Sequence, residues 1–213
     1  VASHKPYDLS AKDGITQHVK PGTPILDGKY PVATGLEHDE YGHPSGSPKV
    51  HMLQNAKRPV AIVGGGVKWS GALKSVRDLL DTLKIPTVST VHGLGTIPKE
   101  RDYYLGMVGM HGMYESNMAM HDCDLMINIG ARFDDRVTGK LTEFAPHSKK
   151  IHVDIDPSSI NKNVRVDLPV VGDAGEVLAA LIAQWKKKKA KPDGAALAKW
   201  WDQIKKWQAR DCL

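Results

Sequence analysis

Arg58-Pro59-Val60-Ala61-Ile62-Val63-Gly64-Gly65-Gly66 is the stretch on which the fold of this chain turns. The apolar run Pro59–Val63 is too short for a helix and leads straight into three glycines. It therefore reads as a buried strand delivered into a tight turn. Beyond it, Ala72, Leu73, Val76, Leu79, Leu80 and Leu83 recur at helical spacing, with Ser70 placed to cap that helix. Pro86–Thr90 returns to strand and ends toward Gly93 and Gly95. The same rhythm continues through strands at Leu105–Val108, Leu125–Ile129, Ile151–Ile155 and Pro169–Val171. A helical stretch at Met113–His121 falls between the first two of these, and one with Val177, Leu178, Leu181, Ile182 and Trp185 follows the last. Short all-apolar strands separated by amphipathic helices predict a parallel sheet covered on both faces. The fold class is α/β: a doubly wound, Rossmann-like, six-stranded parallel sheet over residues 58–185.

On either side of this block the pattern changes. Residues 1–57 hold turn chemistry such as Lys20-Pro21-Gly22-Thr23-Pro24 and Gly42-His43-Pro44-Ser45-Gly46, and read as a linker or extended arm. Only Val50–Ala56 has helical character there. Residues 186–213 open with the lysine run Lys186–Lys189 and continue as a helix carrying Leu197, Trp200, Trp201, Ile204 and Trp207. That tryptophan face reads as a surface that packs on another domain, one missing from this chain. The first methionine is Met52, so the chain reads as a fragment or processed product rather than one starting at Val1.

Composition bounds the function. Apolar content of 41% and charged content of 25% over 213 residues are those of a soluble globular protein. No apolar run approaches the roughly 20 residues that span a bilayer, so no membrane role is expected. Two cysteines, Cys123 and Cys212, make neither a disulfide framework nor a metal spacing, and a reducing, cytoplasmic setting follows. His38 and His43 lack ligand partners at metal spacing. The net charge of +5 is concentrated at residues 185–213, and the lysine run has no interleaved aromatics, so it reads as a solvated linker rather than a nucleic-acid surface.

Open parallel sheets bind ligands outside the carboxyl ends of their strands. Those ends read Gly64-Gly65-Gly66, Thr90-Val91-His92-Gly93, Gly109-Met110-His111-Gly112, Gly130 to Arg136, Asp154-Ile155-Asp156 and Gly172-Asp173. Glycine admits a close backbone approach, a carboxylate at a strand end suits ribose hydroxyls, and arginine suits a pyrophosphate or a substrate carboxylate. Singly, each has a plainer reading. The triple glycine is not a dinucleotide fingerprint, since Trp69 stands at its last glycine and no acidic residue closes the second strand. Asp154 and Asp173 serve equally as Asx-turn or cap residues, His111 as a packed or capping histidine, and Arg132 and Arg136 as partners of Asp134, Asp135 or Glu143. Six consecutive strand ends carrying ligand-type residues together favour a nucleotide site.

The stretch Arg58–Gly66 resembles the opening of the central domain of thiamine-diphosphate-dependent decarboxylases and carboligases. Within them, Gly109-Met110-His111-Gly112 and the run Ala131-Arg132-Phe133-Asp134-Asp135-Arg136-Val137-Thr138-Gly139-Lys140 are similar to the large, catalytic subunit of the acetolactate synthase (acetohydroxyacid synthase) family. Ile151–Pro157 and Gly172-Asp173 agree in order and spacing, and the likeness covers about residues 58–185. The resemblance implies a parent transferase that condenses pyruvate with a second 2-keto acid in branched-chain amino-acid biosynthesis. It further implies thiamine diphosphate, Mg²⁺ and an FAD that does no net redox work. The FAD would lie along the strand ends at Gly65, Thr90, Val91, Val108, Gly109, Met110, His111, Gly130, Ala131, Arg132, Phe133 and Asp134. Asp154, Ile155, Asp173 and Ala174 would hold its adenosine end, and Asp135 and Arg136 would line the substrate channel.

Two positions depart from the family. No arginine precedes Arg58 to reach the flavin from the linker, and His92 stands where an apolar residue is usual. The Gly-Asp-Gly…Asn segment that holds thiamine diphosphate through Mg²⁺ is absent, Gly172-Asp173-Ala174 being no substitute. No catalytic or metal residue is therefore expected in this chain, and no activity from it alone. The pyrimidine-side and diphosphate-side domains of the same subunit, a homodimer or tetramer of the parent and a regulatory small subunit are the partners implied. A stand-alone nucleotide-binding or regulatory module, and the central domain of glyoxylate carboligase, are the alternatives. The latter has Ala-Asn in place of Asp134-Asp135.

Overall fold

A computed structural model describes residues 48–210; residues 1–47 of the arm expected at 1–57, with His38 and His43, lie outside the described residues, as does Cys212. Strands β1 (Pro59–Val63), β2 (Thr87–Ser89), β3 (Tyr104–Met107), β4 (Leu125–Ile129), β5 (Lys149–Asp154) and β6 (Leu168–Val171) form one sheet. All neighbours pair in parallel, in the order β3-β2-β1-β4-β5-β6, which is the doubly wound arrangement with its reversal between β1 and β4. β1 and β4 are buried along their whole length, as a sheet covered on both faces requires.

Seven helices accompany the sheet among the described residues: α1 (Pro48–Asn55), α2 (Gly66–Trp69), α3 (Leu73–Leu83), α4 (Tyr114–Asp122), α5 (Asp135–Thr138), α6 (Ala174–Lys187) and α7 (Gly194–Gln208). α3 buries Val76, Leu79, Leu80 and Leu83, the expected stripe, and packs on α6, whose Val177, Leu178, Leu181 and Trp185 are buried in turn. α1 also rests on α6, through Val50 and Leu53. Ser70 is not the cap of this helix. Chain direction changes first through the single turn α2, Ser70 closes that turn by donating to Val67 O at 3.3 Å, and α3 starts after Ala72.

The tryptophan helix also departs from expectation. Its apolar face packs on this domain itself. α7 lies against α4, with Leu197, Trp200, Ile204 and Trp207 buried in the same core as the strands. Trp200 and Trp207 meet edge to face at 5.5 Å, and Trp200 donates its indole N–H to Pro59 O at 3.2 Å. Trp201 donates to Lys84 O at 3.2 Å. Sequence periodicity identified the face but carries no information about its partner. The Lys186–Lys189 run, in contrast, is exposed at the end of α6. No described helix is long and apolar enough to cross a membrane.

Candidate nucleotide site

Register fixes where the strands stop. Met107, Ser89, Val63, Ile129, Val153 and Val170 stand side by side across the sheet. The next residues, Val108, Thr90, Gly64, Gly130, Asp154 and Val171, therefore begin one continuous carboxyl edge. Among the described residues, six of the seven exposed large apolar side chains follow within a few residues of it: Trp69, Val91, Leu94, Met110, Met113 and Ile155. Apolar groups held in water along one edge mark a binding surface rather than a core.

The glycine turn divides its labour. A Cβ on Gly64 would stand 2.1 Å from Gly130 O, and one on Gly66 2.8 Å from Gly130 Cα. Both glycines allow the turns after β1 and β4 to touch, an approach also marked by Gly66 N–H donating to Gly130 O at 2.9 Å. Gly65 is different: its added Cβ would meet His92 Cβ at 3.0 Å, His92 O at 3.6 Å and the Trp69 indole nitrogen at 3.6 Å, and it stays half-exposed. Of the three, it is the one whose side-chain position does not meet the turn after β4.

After β2, Thr90 is buried and its hydroxyl accepts from Gly93 N–H, while Val91 is 61% exposed. After β3, Gly109 takes φ +111° against Arg136 O and is clamped by Asn117, which accepts from Gly109 N–H at 2.9 Å and donates to Gly109 O at 3.0 Å. Met110 N–H donates to Arg136 O at 2.8 Å, joining this loop to α5. Met110 and His111 are exposed, whereas the Val108 side chain is buried.

The loop after β4 is held from below. Ala131 O accepts from Asn128 Nδ2 at 2.6 Å and pairs with His152 Nε2 at 2.9 Å, and both side chains are fully buried. Phe133 is buried edge-on to His152 at 5.0 Å and to Phe144 at 5.6 Å. Ala131 and Phe133 thus offer a ligand only their backbone. Arg132 pairs with Asp134 at 3.1 Å with both side chains largely exposed, so the local ion pair expected as a plainer reading is present. Asp135 and Arg136 are exposed on α5, and Arg136 reaches Met110 Sδ at 3.9 Å.

At the ends of β5 and β6 the carboxylates also have local duties. Asp154 accepts from Asp156 N–H at 2.9 Å, an Asx-turn, with its other oxygen 3.7 Å from His152 Nε2. Asp173 caps α6, accepting from Gly175 and Glu176 N–H at 2.8 and 3.2 Å. Asp156, next along, is held below the usual carboxylate range by hydrogen bonds from the Ser158 hydroxyl and amide. These bonds leave Asp154 and Asp173 on the wall of a cleft of about 250 Å³, shared with Gly130, Ile155 and Ala174. Gly66, Trp69, Ser70 and Val153 complete the cleft. Of these, Trp69 was read in the sequence only as a broken glycine fingerprint. A large aromatic one turn beyond a glycine-rich strand end is the sequence signal for its place on the cleft.

The cradle suits part of a dinucleotide. Interlocked glycine backbones, one free glycine and a cleft walled by two carboxylates fit a nucleoside with its linkage crossing the turn. Among the described residues no three His, Cys, Asp or Glu side chains converge, and Asp173 caps α6. Cys123, buried at the opposite end of β4, has its thiol pushed up to about 12 by burial, with Lys150 nearby held below its usual range for the same reason.

A family model described as the thiamine pyrophosphate enzyme, central domain, matches residues 49–181. The acetolactate synthase isozyme 3 large subunit of Escherichia coli (strain K12) is 42% identical over 164 residues, 77% of this chain and 29% of that protein. The isozyme 2 large subunit of the same organism is 48% identical over 130 residues, 61% of this chain and 24% of that protein. The acetolactate synthase large subunit of Porphyra purpurea is 36% identical over 213 residues, 91% of this chain and 36% of that protein. The chain spans about a quarter to a third of the length of these relatives.

Proposed function

This chain belongs to the thiamine pyrophosphate enzyme central-domain family, and we propose that it is the central, FAD-binding domain of an acetolactate synthase large subunit. The observation that carries the proposal is the single register row whose next residues supply ligand-type groups along one carboxyl edge. The likeness to large subunits from several organisms supports the parent's identity. Asp154, Ile155, Asp173 and Ala174 hold the adenosine end in the cleft, and Gly65 and Gly130 carry the linkage across the paired turns. Thr90, Val91, Val108 to His111 and Ala131 to Asp134 run beside the flavin, the buried members through their backbones. Asp135 and Arg136, at the rim on α5, face the substrate channel. Bound FAD supplies a flat redox-capable ring, and this chain's share of the work is to hold and orient it.

Residues 1–57 then act as an interdomain arm that ends in α1 against α6, residues 58–185 as the flavin domain, and 186–213 as the exit toward a further domain, with α7 packed on this one. Thiamine diphosphate and Mg²⁺ are held by those other domains, as is the condensation of pyruvate with a second 2-keto acid. The parent works in the cytoplasm as a dimer or tetramer with a small regulatory subunit. Purification of the 213-residue chain with FAD should yield a yellow protein with about one flavin per chain, and no acetolactate in an assay supplied with all cofactors. A colourless chain that fails to bind added FAD defeats the flavin role; turnover by the chain alone defeats its dependence on other domains.

A further inference from the structure

Four of the five tryptophans are occupied in packing: Trp185, Trp200 and Trp207 are buried and Trp201 half-buried, with Trp200 and Trp201 donating to backbone carbonyls. Trp69 is 90% exposed, the most exposed large apolar side chain among the described residues, and its indole nitrogen has no hydrogen-bond partner among them. An indole is the largest apolar payload a side chain carries, and leaving it in water forfeits that burial. It ends α2 on the wall of the cleft, with Gly65 leaving room beside it: a Cβ there would come 3.6 Å from the indole nitrogen.

The rest of the cleft defines what the indole meets. Its wall holds Asp154 and Asp173 and no lysine or arginine, so a phosphate is disfavoured there and ribose hydroxyls are favoured. Ile155, 60% exposed, adds a second apolar wall. At about 250 Å³ the space is too small for a whole dinucleotide and on the scale of one nucleoside. A flat ring, two hydroxyls and no charge describe the adenosine end of a dinucleotide.

We propose that Trp69 is a stacking platform for the adenine ring, with Ile155 against the same ring, so that Trp69 sets how tightly this chain holds the nucleoside end of its ligand. This rests on the FAD reading above, and it concerns a residue that reading does not use. Base stacking on an aromatic side chain is sequence-tolerant but strong enough to dominate a shallow site.

The test is FAD titration of the full 213-residue chain by calorimetry, comparing wild type, Trp69→Ala and Trp69→Phe, with visible spectra of the bound flavin. Trp69→Ala should bind FAD on the order of 10-fold more weakly or worse, and Trp69→Phe should recover most of the loss. The unfolding midpoint should not move, because the side chain is 90% exposed. The flavin absorbance bands should coincide in all three proteins, since the indole sits at the far end of the ligand. Equal FAD affinities for wild type and Trp69→Ala would overturn the stacking role and leave the flavin site standing. A shifted flavin band in Trp69→Ala would overturn it by putting the indole on the isoalloxazine. Failure of the wild-type chain to bind FAD would remove the flavin reading and this inference together.

Discussion

At the amino end of the sheet, Trp200 is buried against Pro59 O and Trp201 reaches Lys84 O; at the carboxyl end, Trp69 stands in water. The same contrast runs through the polar groups. Asp124 accepts from Lys57 and Arg58 N–H at 2.9 and 2.8 Å, so the entry to β1 is closed by internal partners. The carboxyl end keeps Val91, Met110, His111, Arg132 and Ile155 exposed. One end is closed by internal contacts and the other carries the proposed ligand site, and substitutions at the two ends should separate along that line.

The largest effect is expected at the amino end. Trp200→Ala removes a buried indole and leaves Pro59 O unpaired, costing about 3–5 kcal/mol by denaturant unfolding, with the FAD affinity of the remaining folded protein unchanged. A loss of affinity without a loss of stability would break the comparison. Next is Gly64→Ala, which sets a methyl 2.1 Å from Gly130 O and should cost about 3 kcal/mol while also weakening FAD binding. Here the two ends meet, because the turn is at once packing and cradle.

Asp173 separates the roles more finely. Asp173→Ala should lose about 1 kcal/mol with the α6 cap, whereas Asp173→Ser retains the cap to within a few tenths of a kcal/mol. Both should weaken FAD binding, so affinity retained in the serine variant would reduce Asp173 to a cap. The smallest stability effect belongs to Arg132→Gln: its exposed pair with Asp134 is worth under about 0.5 kcal/mol, so any clear drop in FAD affinity reports ligand contact alone.

Much of this was legible in the residues. β1 and β4 lie on the apolar runs read for them, because a strand buried on both faces has to be apolar throughout. Ser70 misled because its capping chemistry serves either end of a short helix, and α2 is a single turn that leaves no periodicity. Asp154 and Asp173 were visible both as local cap or turn residues and as ligand groups, and the structure keeps both readings open by giving each a local bond and a place on the cleft.

The sequence by itself determined the strands, the longer helices and the residues at each strand end, since alternation of short apolar runs with amphipathic stretches is a local signal. Only the tertiary structure decided the strand order, the row that makes six separate loops one edge, the cleft that joins Trp69 to Asp154 and Asp173, and the docking of the tryptophan helix on its own domain. Those depend on contacts between residues far apart in the chain. Periodicity can say that a face is apolar, but which surface will cover it is settled by packing in three dimensions.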